Sequence, residues 1–207
     1  MGQQNNRRKE GLLGMALVGM LLSMNALAST VNTTTLTATI VASSCVGEIL
    51  TPNSSGRAEG SAGTVDFGVI NPKSRVAPVR QFSLRLSEVI GGKTGCSAFE
   101  AYGRQYPVAI LSFGDVGQTQ LDDAGVILRN DAGIDTQMRV QVRPLNAEGI
   151  FLKPGAPGYI TATHSQVTYP IAFAVQGLFD FQATLSQLNN AKSGRFSGAL
   201  TVTVVYR

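Results

Sequence analysis

The segment from Gly194 to Arg207 constrains this chain most. Phe196, Leu200, Val202, Val204 and Tyr206 alternate with Arg195, Ser197, Thr201 and Thr203. A period of two over this length is the signature of a β-strand with one buried face. The strand runs to the last residue of the sequence, and no later segment follows to pair with its far edge. A long apolar edge is an association hazard unless another strand covers it. The first thing to find is therefore that strand's partner.

The opposite end of the sequence does not read as part of the fold. Arg7, Arg8 and Lys9 precede the apolar run from Gly11 to Met24, and Ala26-Leu27-Ala28 follows. A basic start, a short apolar stretch and small residues at a cleavage point predict a secretory signal peptide over residues 1–28. A membrane anchor is the alternative, but the run is short for a bilayer span. No second apolar run exists, so the mature chain is expected to be soluble. Residues 29–207 have the length of one domain with a real core.

Charge excludes one class of partner. Three of the seventeen basic and one of the thirteen acidic residues lie before Ala28, leaving fourteen and twelve. That balance, with no Lys/Arg cluster, argues against nucleic acid. Cys45 and Cys96 are the only cysteines. In an exported chain the pair reads as a disulfide; free thiols or a metal site are the alternatives.

Strand patterns recur between the ends. Val65, Phe67 and Val69 alternate with polar or small residues, as do Phe82, Leu84 and Leu86, and then Met138, Val140 and Val142. Val108 to Phe113 is nearly continuous and apolar, as in a strand covered on both faces. Tyr169, Ile171, Phe173 and Val175 alternate with smaller residues, and Phe179, Phe181, Ala183 and Leu185 follow. Turn-rich stretches, including Pro52–Gly63, Ile90–Gly95 and Lys153–Gly158, separate them. Short strands with Gly/Pro-rich connections predict an all-β sandwich. From Ser29 to Ser44, Thr34, Leu36, Ala38 and Ile40 alternate with Thr33, Thr35, Thr37 and Thr39, so this segment is also expected to be extended.

Together these features resemble the chaperone–usher fimbrial subunits, the pilins of type 1-like pili. The resemblance rests on the signal peptide, the alternating segment that ends at Cys45, and Cys96 after Phe82-Ser-Leu-Arg-Leu. It rests also on the terminal strand with penultimate Tyr206, on Gly194 fourteenth from the end, and on Val65-Asp66-Phe67-Gly68. It implies an incomplete immunoglobulin-like sandwich lacking its final strand, with residues 29–41 as a donor extension and 42–207 as the pilin domain. Thr34, Leu36, Ala38 and Ile40 would be the inserting face. Gly194, Phe196, Leu200, Val202, Val204 and Tyr206 would wall the groove, and Arg207 would meet a periplasmic chaperone. The implied partners are that chaperone, an outer-membrane usher and neighbouring subunits. The implied destination is a cell-surface fimbrium reached through the periplasm. The folded body would be one strand short and would borrow it from another molecule. The alternative function is that of a single-domain fimbrial adhesin that binds a host receptor or glycan.

Other motifs read as structure. Gly91-Gly92-Lys93-Thr94 lacks the earlier glycine of a phosphate loop, because Ser87 occupies that position. His164 is the only histidine and is expected at the surface or in packing. Asp122, Asp123 and Asp131 have no EF-hand spacing and are expected as solvated turn carboxylates. Tyr102, Tyr106 and Tyr159 are expected in packing or neighbour contacts. No enzymatic site, metal or cofactor is expected.

Overall fold

The computed structural model describes residues 31–40, 45–51, 62–71, 76–102, 105, 107–190 and 194–206. Residues 1–28, where a signal peptide is expected, most of the Pro52–Gly63 loop, Tyr106 and Arg207 lie outside the described residues. The strands, in order, are β1 (Val31–Ile40), β2 (Cys45–Leu50), β3 (Ala62–Val69), β4 (Val79–Glu88) and β5 (Val108–Phe113). They continue with β6 (Leu121–Asp122), β7 (Gly125–Asn130), β8 (Asp135–Pro144), β9 (Ile150–Phe151), β10 (Gln166–Pro170), β11 (Leu178–Ser186) and β12 (Arg195–Tyr206). Two short helices, α1 (Ala98–Tyr102) and α2 (Ile171–Ala174), complete the main elements.

Hydrogen bonding links β2-β4-β11-β8-β7-β12-β5-β10-β9 in one path, with β1 and β3 beside β12. The path doubles over at β12, so that β5 and β10 face β11 and β4 across one core. Phe113 of β5 meets Phe181 of β11 edge-on at 5.5 Å, and Phe181 stacks on Phe82 of β4 at the same spacing. Phe82 and Phe181 are register partners in one ladder, whereas the Phe113–Phe181 contact joins β5 and β11, which are not paired with each other. The buried cluster takes alternate residues from nearly every strand: Leu84 and Leu86, Met138 and Val142, Phe179 and Leu185, Leu200 and Val202. This is an all-β, immunoglobulin-like sandwich.

Two expected runs end differently. Val65 and Phe67 are buried, but Val69 is 70% exposed. Val31 pairs with Val69 and Asn32 with Gly68, yet Thr33 pairs with Asp66, which leaves Phe67 as an extra residue. Gly68 has φ +69°, and its N–H donates to Asp66 Oδ1 at 2.7 Å. Val65-Asp66-Phe67-Gly68 is thus a β-bulge, and a bulge reverses the in–out sense beyond it.

The second departure is the Tyr169–Val175 run, expected as one strand. The ladder with β5 stops at Pro170, and α2 makes a single helical turn that Gly177 follows at φ +70°. The apparent alternation came from small residues between large ones. The turn instead stacks Phe173 on Tyr169, with ring centroids 5.4 Å apart.

Candidate functional site: the slot between β3 and β12

The strand beside the terminal strand comes from the other end of the same chain. β1 lies between β12 and β3 and pairs with both. It runs parallel to β12 in one unbroken register from Val31–Arg195 to Ile40–Val204. It runs antiparallel to β3 from Val31–Val69 to Thr37–Ala62. In this structure the place expected for a strand from another molecule is taken by a strand of the same chain. Here its own N-terminal segment fills the position, because an alternating strand four residues from Cys45 can reach the open edge.

Thr34, Leu36, Ala38 and Ile40 take the register positions of Gly198, Leu200, Val202 and Val204. Leu200, Val202 and Val204 are buried, as is Phe196 opposite Asn32. Residues at matched positions of adjacent strands share a face of the sheet. The two sets named from sequence are therefore in register with each other. Burying that row of β12 contributes about 2 kcal/mol per side chain. Tyr206 pairs through its backbone with Ala109 of β5. Gly194, at φ +142°, stands just before the strand.

The other edge of β12 changes partner partway. Phe196 and Ser197 pair with Asn130 and Arg129 of β7, whereas Val202 to Tyr206 pair with β5. Gly198 lies at the crossing, where an added Cβ would come 2.8 Å from Ile127 O and 2.9 Å from Leu128 Cδ2. Only glycine lets the backbones approach this closely. Gln120 serves the gap between the two ladders. Its Oε1 accepts the Thr201 N–H at 2.7 Å, and its Nε2 donates to Thr201 Oγ1 at 3.1 Å. A side-chain amide thus stands in for a strand. Sequence reasoning missed Gln120, because a glutamine in a Gly-rich turn carries no signal of a distant partner.

The disulfide anchors this region. Cys45 and Cys96 are bonded, with Cα atoms 5.8 Å apart. Cys45 opens β2, five residues after β1 ends, and pairs with Glu88. Gly91-Gly92-Lys93-Thr94 forms the turn leading to Cys96: the Glu88 N–H donates to Lys93 O, and Ser87 bridges Thr94. The Ser97 N–H donates to Glu88 Oε1 and holds that carboxyl below its usual range.

Charges elsewhere serve the frame. Arg139 is buried and grips Asp135 through both Nη atoms at 2.8 and 2.9 Å, while its Nε donates to Asp122 at 2.6 Å. Burial opposes the Arg139 charge, but these hydrogen bonds outweigh it and raise its pKa. Chiefly through the same bonds, the Asp135 carboxyl sits below its ordinary range. Asp122 is therefore not the freely solvated turn carboxylate expected from sequence. His164 is half-buried; Nδ1 meets Thr163 Oγ1, and Nε2 meets Pro154 O. Among the described residues, no group of three or more His, Cys, Asp or Glu is placed to hold a metal.

A paired terminal strand, a slot beside it filled by an N-terminal strand, and a disulfide joining β2 to the end of the β4 turn describe the region. A family model described as K88 fimbrial protein A matches residues 11–207. The chain belongs to the K88 fimbrial protein A family, a family of chaperone–usher fimbrial subunits. No curated protein matches the sequence. Membership makes this a fimbrial structural protein, of a kind that associates with other fimbrial subunits. In this fimbrial subunit the residues of β12 at the slot contribute backbone pairing and apolar surface.

Proposed function

We propose that this chain is a structural subunit of a chaperone–usher fimbria that polymerises by strand donation and supports cell adhesion. Residues 29–41 are the donor extension, and Thr34, Leu36, Ala38 and Ile40 are the face that enters a neighbour's groove. Phe196, Leu200, Val202, Val204 and Tyr206 wall the acceptor groove. A periplasmic chaperone covers that groove before assembly, Arg207 lies at the chaperone contact, and an outer-membrane usher hosts the exchange. The observation that carries this reading is the position of β1. It is joined to the body by a short stretch of chain, and it pairs with β12 along its whole length and with β3 over Val31–Thr37. A strand held this way can be supplied equally by another chain, since the groove reads only backbone groups and alternate side chains. Deleting residues 29–41 tests it. The truncated subunit is expected to accept a strand but never to donate one, so it ends fibres. Continued growth of the fibre beyond the truncated subunit would overturn the assignment of the extension.

A further inference from the structure

We infer that β1, seated in the chain's own slot, is a latch that closes the free subunit to both giving and taking a strand. This rests on the donor reading and adds a regulatory state to it. The seated strand uses the groove and the extension at once. Its register with β12 is continuous, and its second edge is occupied by β3 over Val31–Thr37. While it is in place, the chain presents no open edge beside β12 and no free extension.

The fit is specific to alternation. Asn32, Leu36, Ala38 and Ile40 are the register partners of the buried Phe196, Leu200, Val202 and Val204, and Thr34 is the partner of Gly198. A slip of one residue would set Leu36 and Ile40 on the opposite face from Leu200 and Val204. The bulge at Phe67–Gly68 lies at the Asn32–Thr33 step and marks the register on the β3 side as well.

The latch is also favoured by the tether. Four residues separate Ile40 from Cys45, and Cys45 is bonded to Cys96. A strand tethered so closely faces its slot at an effective concentration of about millimolar. A free strand of the same sequence must therefore reach about millimolar concentration to displace it. Assembly needs a partner that binds better than the latch or that arrives before the latch forms.

The test uses the full mature chain carrying Thr39→Cys and Thr203→Cys, which are register partners outside the buried row of β12. Oxidation should join them within one molecule, seen as faster migration on a non-reducing gel. The probe is a fluorescent peptide of the sequence Val31–Ile40, added during refolding. The reduced chain should take it up with half-occupancy at about millimolar peptide, and the oxidised chain should take up none. Thr37→Cys with Thr201→Cys provides a second pair should the first fold poorly. Absence of the internal bond in both pairs overturns the latch, as does equal uptake by oxidised and reduced chains. Half-occupancy at micromolar peptide would mean an open slot and also overturns it. In these cases uptake by the reduced chain leaves strand donation standing. Internal bonding with no uptake at any concentration would make β1 a fixed strand and overturn latch and donor reading together.

Discussion

Leu36 and Leu200 occupy matched positions on two parallel strands, although they come from opposite ends of the chain. Leu200 is completely buried. The pairing brings the N-terminal segment against the terminal strand and closes the edge that the latter would otherwise expose.

Val202 and Val204 test the groove wall. Both are buried on β12. Changing both to Asp places carboxylates within the buried apolar cluster. The expected loss is about 4 kcal/mol or more. It should be read as failure to recover soluble subunit. Normal yield and an unchanged denaturant midpoint would show that this face of β12 does not pack.

The disulfide closes a loop with a sequence separation of 51. On the chain-entropy account, a loop of that size stabilises the fold by about 4 kcal/mol. Cys96→Ser should lower the stability measured in urea by an amount of that order. Treating the wild-type protein with a reductant should produce a similar fall. Equal urea midpoints with and without reductant would contradict this.

Tyr169 gives a less intuitive outcome. Its ring packs against Phe173 and Phe179, and its hydroxyl is buried with no hydrogen-bond partner among the described residues. Burial, with the charges of Asp180 and Glu148, pushes the phenol above its ordinary pKa. Tyr169→Phe removes an unmet polar group and should stabilise the fold by about 1–2 kcal/mol. A raised pKa contributes stability that is full below the unfolded value of about 10 and is lost as pH rises toward the folded value. The Phe variant should lose this part of the alkaline decline. A less stable Phe variant, measured by thermal melting at neutral pH, would mean that the hydroxyl is bonded.

The Arg139 cluster sets an acid limb. Asp135 is held below its ordinary range. Such a carboxyl contributes stability that is full above the unfolded value of about 3.9 and is lost as pH falls through the folded value. Asp135→Asn should cost about 1 kcal/mol at neutral pH and flatten the decline of the urea midpoint below pH 4. Parallel acid limbs for the two proteins would remove Asp135 from that role.

Much of the fold was legible because its signals are local. Phe82, Leu84 and Leu86 alternate within one segment, and burial follows the pattern. The failures have identifiable physical causes. Val69 escaped burial because a bulge reversed its face. Ile171 and Phe173 left the sheet because the chain turns after Pro170 into one helical turn. Arg139 reads as an outward residue between Met138 and Val140, but two acids from β6 and the start of β8 draw it inward. Gln120 is visible as a strand substitute only once Thr201 lies beside it.

The amino-acid order by itself determined that Val31–Ile40 and Arg195–Tyr206 alternate as strands do, and it singled out Cys45 and Cys96 as a pair. Periodicity depends only on near neighbours and needs no knowledge of the chain's path. Tertiary structure decided that these two ends meet in parallel, with β3 on the far side of β1. Alternation is the same read in either direction along a strand. It therefore carries no information about which edge a strand will join or in which sense it will run. Those depend on where the intervening chain brings the backbone groups that must be paired.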